Sequence, residues 1–575
     1  MARSTARRKP RTKRKPLALA GPAAAAAREL EQAQRQAGAH KLFKKGYSLQ
    51  KRGEAREAVK LHLKGLRLDK DSVFGVKLLA EALAQMGRRH LAIQTYEHAL
   101  RLAPDDMETH FALGNLAMAM DMLDVAGQFF AIYVRSRPND PMGYNNLATV
   151  WRNQEKFDDA IDLLQKIIPQ YPESSMLWNT LAAAVYDRDG LDAALPFYEE
   201  ALRLEPNSSK TLSNLARCME QKGDFERGVE LAERAIKAEK RLAEPKLVLA
   251  HCELALGNLE KGWRDYVARF DPQRAGVIRY THNLPDWQGE DISDKRLLVC
   301  PEQGIGDEIL FASVFDELAT RVGECLIGCD SRLVPLFARS FPKAKVGAYI
   351  DTYSDAHRFR SMPFAEAEGA THADVAIPAG DLMKFFRPDV ASFPTREGFL
   401  MADPERISVW RSRLDAMGPG LKVGICWRSG RQNVDRNRHY TSLEQWGPIF
   451  GVEGVQFVNL QYDDCTDELA AAKAQHGVSV RTWEDVDLRN DLEAAAALTA
   501  AVDVVISPAT AVAMTAIGVG TEYIGILRTA PYWAFGLKDT TPLLSKSQLF
   551  CWPEGGGWDE TVVAVAGALR RRAQN

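Results

Sequence analysis

The chain has 575 residues, too many for one hydrophobic core and enough for two or three domains. Its 74 basic and 76 acidic residues nearly cancel, and a net charge of −2 excludes a generally cationic surface of the kind that grips nucleic acid or membrane. The eight cysteines are scattered without a Cys-x-x-Cys pair; Cys325 and Cys329 lack a matching His or Cys cluster, so reduced thiols and a cytoplasmic address are expected.

The chain starts with a basic run, Arg3, Arg7, Arg8, Lys9, Arg11, Lys13, Arg14 and Lys15, free of acids. It reads as a solvated disordered tail over 1–38, with contact to an acidic partner, a membrane or RNA as the functional alternative. The Leu17-Ala-Leu-Ala segment that follows is broken by Gly21-Pro22 and runs into charged helix, which argues against an export signal. No later stretch is apolar for the ~20 residues a membrane span requires.

Pro104, Pro138, Pro172 and Pro206 stand 34 residues apart. Between them the small pairs Gly114/Ala126, Ala148/Ala160, Ala182/Ala194 and Ala216/Gly228 recur at an offset of 12, as two antiparallel helices require where their backbones approach closest. Weaker copies flank them, with Gly46/Ala58, Ala92 and Tyr96, and Ala250/Gly262. The pattern resembles the tetratricopeptide repeat, and about six repeats are expected over 39–270. On the first helix of each pair, Asn145 and Asn179 are one period apart and Asn146 and Asn214 two, a carboxamide ladder able to hold an extended peptide or simply to face water.

After residue 270 strands alternate with helices. Arg296–Cys300 is a buried strand opening into Glu302-Gln303-Gly304-Ile305-Gly306-Asp307-Glu308 and an amphipathic helix. Cys325–Gly328 and Ala373–Ile377 are further strands, and Leu333–Phe337 a helix. A second set begins at Lys422–Trp427, continues through Val455–Leu460 and Asp503–Ser507, and closes with Tyr523–Leu527 and a helix over Thr561–Leu569. This grammar predicts two doubly wound lobes, 271–400 and 401–575, with a linker around 395–420 and a cleft between them.

The segments EQGIGDE, VGICWRSG, DRNRHYTSL, FVNLQY and DLEAAAALTAAVDVVIS together resemble bacterial tetratricopeptide proteins that end in a heptosyltransferase-like glycosyltransferase of the GT-B fold. More distantly they are similar to the protein O-linked N-acetylglucosamine transferases. Gly257–Tyr266 and Leu284–Gly289 resemble the joint between solenoid and transferase in that family. The resemblance covers nearly the whole chain beyond its first forty residues. It implies an α-solenoid followed by two Rossmann-like lobes, and a metal-independent inverting transfer from a nucleotide sugar to a protein hydroxyl, with flagellin the bacterial acceptor the architecture brings to mind.

Sugar transfer needs a base beside the acceptor and positive charge or amide dipoles at the departing phosphate. In the family the residue matching Asp307 is the proposed base; the residue itself reads equally as a helix cap, in a place where the helix amino end lowers a carboxyl pKa. Glu302, Gln303, Gly304 and Gly306 form its loop, the glycines allowing a tight turn and close approach to a ligand. Arg428, Arg431, Arg436, Asn437, Arg438 and His439 follow a strand end, where ligands bind in such sheets, and guanidinium forks suit phosphate. Asp491, Thr510 and Ala511 complete the donor side, the last two at a helix start that offers free amides. The family's Asp before the threonine and His four residues after it are replaced by Ala509 and Met514, which leaves the donor, and turnover itself, open. Asp485-Val-Asp487 has the letters of a metal motif but leads into a helix, and no essential metal or other cofactor is expected beyond the nucleotide sugar. Trp533, Trp552 and Trp558 are ring candidates for stacking on a base or sugar, or ordinary packing. The alternatives are a repeat scaffold that has lost turnover and a lipid-directed sugar transferase.

Overall fold

The computed structural model of the chain describes residues 22–272, 274, 276–354, 357–367, 370–371, 373–430, 434–552 and 557–574. The basic run and Arg431 lie outside them. The chain divides into two compact units, 1–154 and 155–575.

The first unit is helical: α1 (Pro22–Lys51), α2 (Ala55–Leu68), α3 (Val73–Gln85), α4 (Arg89–Leu102), α5 (Met107–Ala119), α6 (Leu123–Ser136) and α7 (Pro141–Asn153). Helix α1 starts at Pro22, so the stretch expected as tail is helical from there onward. Glycine is required where helices touch. A Cβ on Gly46 would come within 2.4 Å of the His62 ring, one on Gly75 within 2.2 Å of Phe43, and one on Gly114 within 2.8 Å of Phe130. Ser72, Asp106 and Asp140 cap α3, α5 and α7 by accepting from the amides of Gly75, Thr109 and Met142.

The second unit carries on with α8 (Phe157–Ile167), α9 (Ser175–Asp189), α10 (Leu191–Leu204), α11 (Ser209–Lys222), α12 (Phe225–Ala238), α13 (Glu244–Ala255) and α14 (Leu259–Tyr266). Two helices per repeat over about six repeats therefore undercounts the array, which has fourteen helices among the described residues. The weak first and last copies lack the prolines but keep the small residues. A second marker of the period emerges in the backbone: Gly53, Gly87, Asp121, Glu155, Gly190, Gly223 and Gly257 all have φ between 60° and 95°. The fifth falls one residue late, at the end of α9, which has 15 residues.

Beyond α14 the strands are β1 (Ile278–Tyr280), β2 (Ile292–Cys300), β3 (Val322–Cys329), β4 (Ala344–Ala348), β5 (Ile350–Ser354), β6 (His357–Ser361), β7 (Glu366–Ala367), β8 (Ala370–Thr371), β9 (Val375–Pro378), β10 (Leu421–Ile425), β11 (Val455–Asn459), β12 (Val480–Arg481), β13 (Val504–Ser507), β14 (Glu522–Leu527) and β15 (Ser547–Cys551). The helices among them are α15 (Ile305–Ala312), α16 (Phe315–Ala319), α17 (Val334–Ser340), α18 (Met383–Phe386), α19 (Pro404–Asp415), α20 (Val434–Asn437), α21 (Gly447–Phe450), α22 (Thr466–His476), α23 (Leu492–Ala501), α24 (Ala511–Val519) and α25 (Trp558–Ala573).

Two parallel sheets organise these elements, one in the order β4-β3-β2-β9 and one in the order β12-β11-β10-β13-β14-β15. Leu297, Leu298, Val299, Val423, Ile425, Val505 and Ile506 are all fully buried, since strands covered on both faces read as unbroken apolar runs. The region expected as linker, 395–420, contains α19, which Asp403 caps and which packs through Trp410 and Leu414. A small sheet, β1-β6-β5, was not expected, because its strands carry Asp351, Arg358 and Arg360 rather than apolar runs.

The solenoid end is locked to the first lobe by buried charge. Arg269 forks onto Glu302 at 2.6 and 3.1 Å and reaches Asp381 at 2.6 Å, while Trp263 Nε1 donates to the Arg387 carbonyl at 2.9 Å. Among the described residues no helix is long and apolar enough to cross a membrane.

Candidate functional site

The carboxyl ends of both parallel sheets open into one cleft of about 930 Å³, whose lining residues all belong to the second unit. Strand β2 feeds the loop into α15, β13 the turn into α24, β10 the arginine loop, and β14 the segment Arg528–Trp533. Helices α11 and α13 of the solenoid supply a further wall through Arg217, Glu220, Gln221, Val248 and His251.

Asp307 is the third residue of α15 and lines the cleft. The helix is capped by Gly304 with no side-chain bond, so Asp307 is not its cap. Its pKa is raised to about 6, against the lowering expected from a helix amino end: burial and the charge of Glu302 outweigh Arg269, His251 and a hydrogen bond with Tyr532. The next residue, Glu308, is buried behind the cleft with its pKa raised to about 8 by burial, and its Oε2 accepts from the Asp330 amide at 2.8 Å.

The loop glycines differ from expectation. Gly304 has φ −143°, open to any residue, and Gly306 is not left-handed either. A Cβ on Gly306 would meet Ala511 Cα at 3.7 Å, an ordinary contact, so the starts of α15 and α24 adjoin without a turn that demands glycine. Gln303 also lines the cleft. Glu302, expected in the ligand-facing loop, is outside the cleft lining: it is 2% exposed, held by Arg269, and accepts from the Gly380 amide at 2.8 Å.

The arginine loop divides. Arg436 and His439 line the cleft, with Arg436 reaching Ser429 Oγ at 3.5 Å. Arg428 instead grips Glu468 and donates to the Asp464 carbonyl at 3.0 Å. Arg438 turns to α9, donating to the carbonyls of Tyr186 (2.5 Å) and Asp187 with its guanidinium over the Tyr186 ring. Asn437 is exposed outside the lining, and Arg431 lies outside the described residues.

Across the cleft, Thr510 precedes α24, with its Oγ1 3.0 Å from Ser507 Oγ and no side chain on the helix amides; Ala509, Ala511 and Met514 line the cleft with it. Asp491 is elsewhere. It caps α23 through the Ala494 amide at 2.9 Å and pairs with Arg406 at 2.9 Å. Asp485 pairs with Arg413, and Asp487 closes the turn before α23. Trp533 lines the cleft, while Trp552 and Trp558 pack edge to face.

The asparagines are mostly tied up. Asn145 and Asn179 are buried; Asn146 donates to Asn115 at 2.9 Å, and Asn214 to Asn179 at 3.0 Å. The carboxamides therefore link neighbouring helices within each unit.

Sequence reasoning missed Glu220, His251, Arg528 and Tyr532, all of which line the cleft. Arg528 is half-buried over the Trp552 ring at 5.0 Å, and among the described residues no acid pairs with it; burial and nearby Arg438 lower its pKa. The repeat frame could have revealed the first two, since it puts Glu220 and His251 on first helices of successive pairs. Tyr532 and Arg528 sit in an irregular segment without a period.

Tetratricopeptide repeat family models match residues 73–116, 145–209 and 190–241. These segments are tetratricopeptide repeats. Such arrays are protein-binding scaffolds with an extended concave surface. The chain is 36% identical over 312 residues to Protein FlbA of Caulobacter vibrioides, covering 54% of this chain and 52% of that protein. It thus spans about half the length of this curated relative. Among solved structures, MamA from Desulfovibrio magneticus RS-1 is similar at 19% identity over 30% of this chain and 96% of its own, with a TM-score of 0.28. A tetratricopeptide repeat protein from Parabacteroides merdae matches at 15% identity over 36% and 81%, with a TM-score of 0.34.

Proposed function

We propose that the chain is an inverting glycosyltransferase of GT-B layout that moves a sugar from a nucleotide donor to a Ser or Thr hydroxyl of a protein held by the repeats, with Asp307 as the base. The supporting observation is a carboxyl with a pKa of about 6 in a cleft walled jointly by two sheet ends and by solenoid helices. A group so poised is largely ionised near pH 7 yet basic enough to take the proton of the attacking hydroxyl. Arg436, Arg528 and His439, with the open amides at the start of α24, would receive the departing phosphate and carry the charge that a metal carries in other sugar transferases. The nucleotide sugar is the co-substrate in this reading. Flagellin, modified in the cytoplasm before export, is the acceptor we would test first, on the family resemblance alone.

A second reading, a scaffold without turnover, draws on Ala509 and Met514, which bring no polar group to the cleft where the resembling family has two. Full-length protein given UDP-, GDP- and CMP-linked sugars with flagellin separates the two. Release of one nucleotide class with matching sugar mass on the acceptor supports transfer, and Asp307→Ala should slow it about 10²–10⁴-fold. Acceptor modified undiminished by that variant would remove Asp307 from the role; no nucleotide released from any donor would favour the scaffold.

A further inference from the structure

Four side chains from four elements form a line that starts in the repeats and ends on the carboxyl. Glu220 of α11 meets His251 of α13, Oε1 to Nδ1, at 2.7 Å. The His251 ring lies flat on Tyr532, with centroids 5.2 Å apart and planes within 9°. Tyr532 in turn lines the same cleft as Asp307 and favours its ionised form, and its ring centroid lies 6.1 Å from that of Tyr266. Tyr532 opens a short 3₁₀ turn that ends at Phe535, whose φ is 51°, so its own backbone gives it little regular support. The flat stack supplies that support, and Glu220 fixes the orientation of the imidazole within it.

We infer that Glu220, His251 and Tyr532 are positioning residues for Asp307, so that the last repeats build part of the reacting site as well as holding a partner. The effect on turnover rests on the transferase reading; the effect on the state of Asp307 does not. Groups from every neighbouring element bear on that carboxyl. Burial and Glu302 disfavour its ionised form, while Arg269, His251 and Tyr532 favour it, and Tyr266 joins through Tyr532. Removing the Tyr532 hydroxyl or the His251 ring therefore leaves the carboxylate less supported, and its midpoint rises.

Isotope-edited infrared titration of the full chain with ¹³C-labelled aspartate reads this directly, with Asp307→Asn identifying the band. The wild-type midpoint is expected at about 6. Tyr532→Phe and His251→Gln should each raise it by about half a pH unit or more, the order expected for losing one favourable contact to the charged form. Lys222→Ala, which breaks only the exposed pair with Asp192, should leave it unchanged. In the transfer assay the acid limb of the rate profile should move the same way, kcat falling several-fold with acceptor KM within about two-fold. Midpoints of Tyr532→Phe and His251→Gln superimposed on wild type would overturn the inference. If His251→Gln fails to fold, Tyr532→Phe, which keeps the ring stack, decides alone. Shifted midpoints in a protein that never turns over would sink the transferase reading and leave the positioning line standing.

Discussion

In the repeats, residues 34 positions apart do the same job: Gly53 and Gly87 in one unit, and Gly223 and Gly257 in the other, all take the left-handed backbone. In the lobes, residues of the same chemistry do different jobs. Arg428 is spent on Glu468, Arg438 on the carbonyls of α9, and Arg269 on Glu302 and Asp381, while Arg436 and Arg528 line the cleft. A frame tells a repeat residue its role, whereas a lobe residue takes its role from its partner.

The largest expected effect tests a lobe residue whose environment works against it. Because the folded pKa of Asp307 is raised to about 6 from 3.8, the folded state binds more protons than the unfolded state between those values, so its contribution to stability is lost as pH rises through that window. Asp307→Asn should therefore be more stable than wild type above pH 7, by about 1–2 kcal/mol once screening by the open cleft is included, with the gap closing below pH 4. Its turnover should fall in parallel by the orders of magnitude given above. Denaturant melts at pH 4 and pH 8 check the sign, and a variant less stable at both would mean that Asp307 serves the fold.

Arg269→Met should cost about 3–5 kcal/mol, because it leaves Glu302 and Asp381 as uncompensated charges beside the solenoid joint. A small loss in urea melts would show that the joint is held by its aromatic contacts alone.

These contrasts explain which parts of the molecule were legible in the sequence. The solenoid was, because its small residues and prolines repeat; only its weak ends were undercounted. The parallel strands were, because burial on both faces leaves uninterrupted apolar runs such as Leu297–Val299. The β1-β6-β5 sheet was not, since charges such as Arg360, fully buried on Asp351 and the Glu302 carbonyl, hide a strand from any hydrophobic pattern. Asp307 and Thr510, picked out from their place after strands, line the cleft, whereas Glu302, Arg428 and Asp491 lie outside its lining because each is claimed by a partner distant in sequence. Arg528 was missed for the converse reason: it lines the cleft with no acid paired to it among the described residues, which a sequence does not display.

Arg428 and Arg528 make a matched pair for that lesson. Arg528→Ala should weaken sugar-nucleotide binding about ten-fold, the loss of roughly one charge-assisted contact, with little change in melting. Arg428→Ala should cost about 1 kcal/mol of stability through Glu468 and leave affinity within two-fold. Calorimetric titration and thermal melts on both variants would break the distinction if the effects came out reversed.

The smallest effect belongs to the repeats and asks whether the frame holds where the residue departs from it. Asp121 and Glu155 have φ of 60° and 61°, values that cost a side chain-bearing residue about 1 kcal/mol and cost glycine nothing. Both stand where Gly53, Gly87, Gly223 and Gly257 stand in their own repeats. Glycine also loses more freedom on folding, which offsets part of the gain. Asp121→Gly and Glu155→Gly should each stabilise by about 0.5 kcal/mol, a rise of a degree or two in Tm, whereas Gly87→Ala should destabilise by a similar or larger amount. If the two glycine variants melted lower than wild type, the acids would be holding those turns by contacts of their own, and even in the solenoid the partner would outrank the frame.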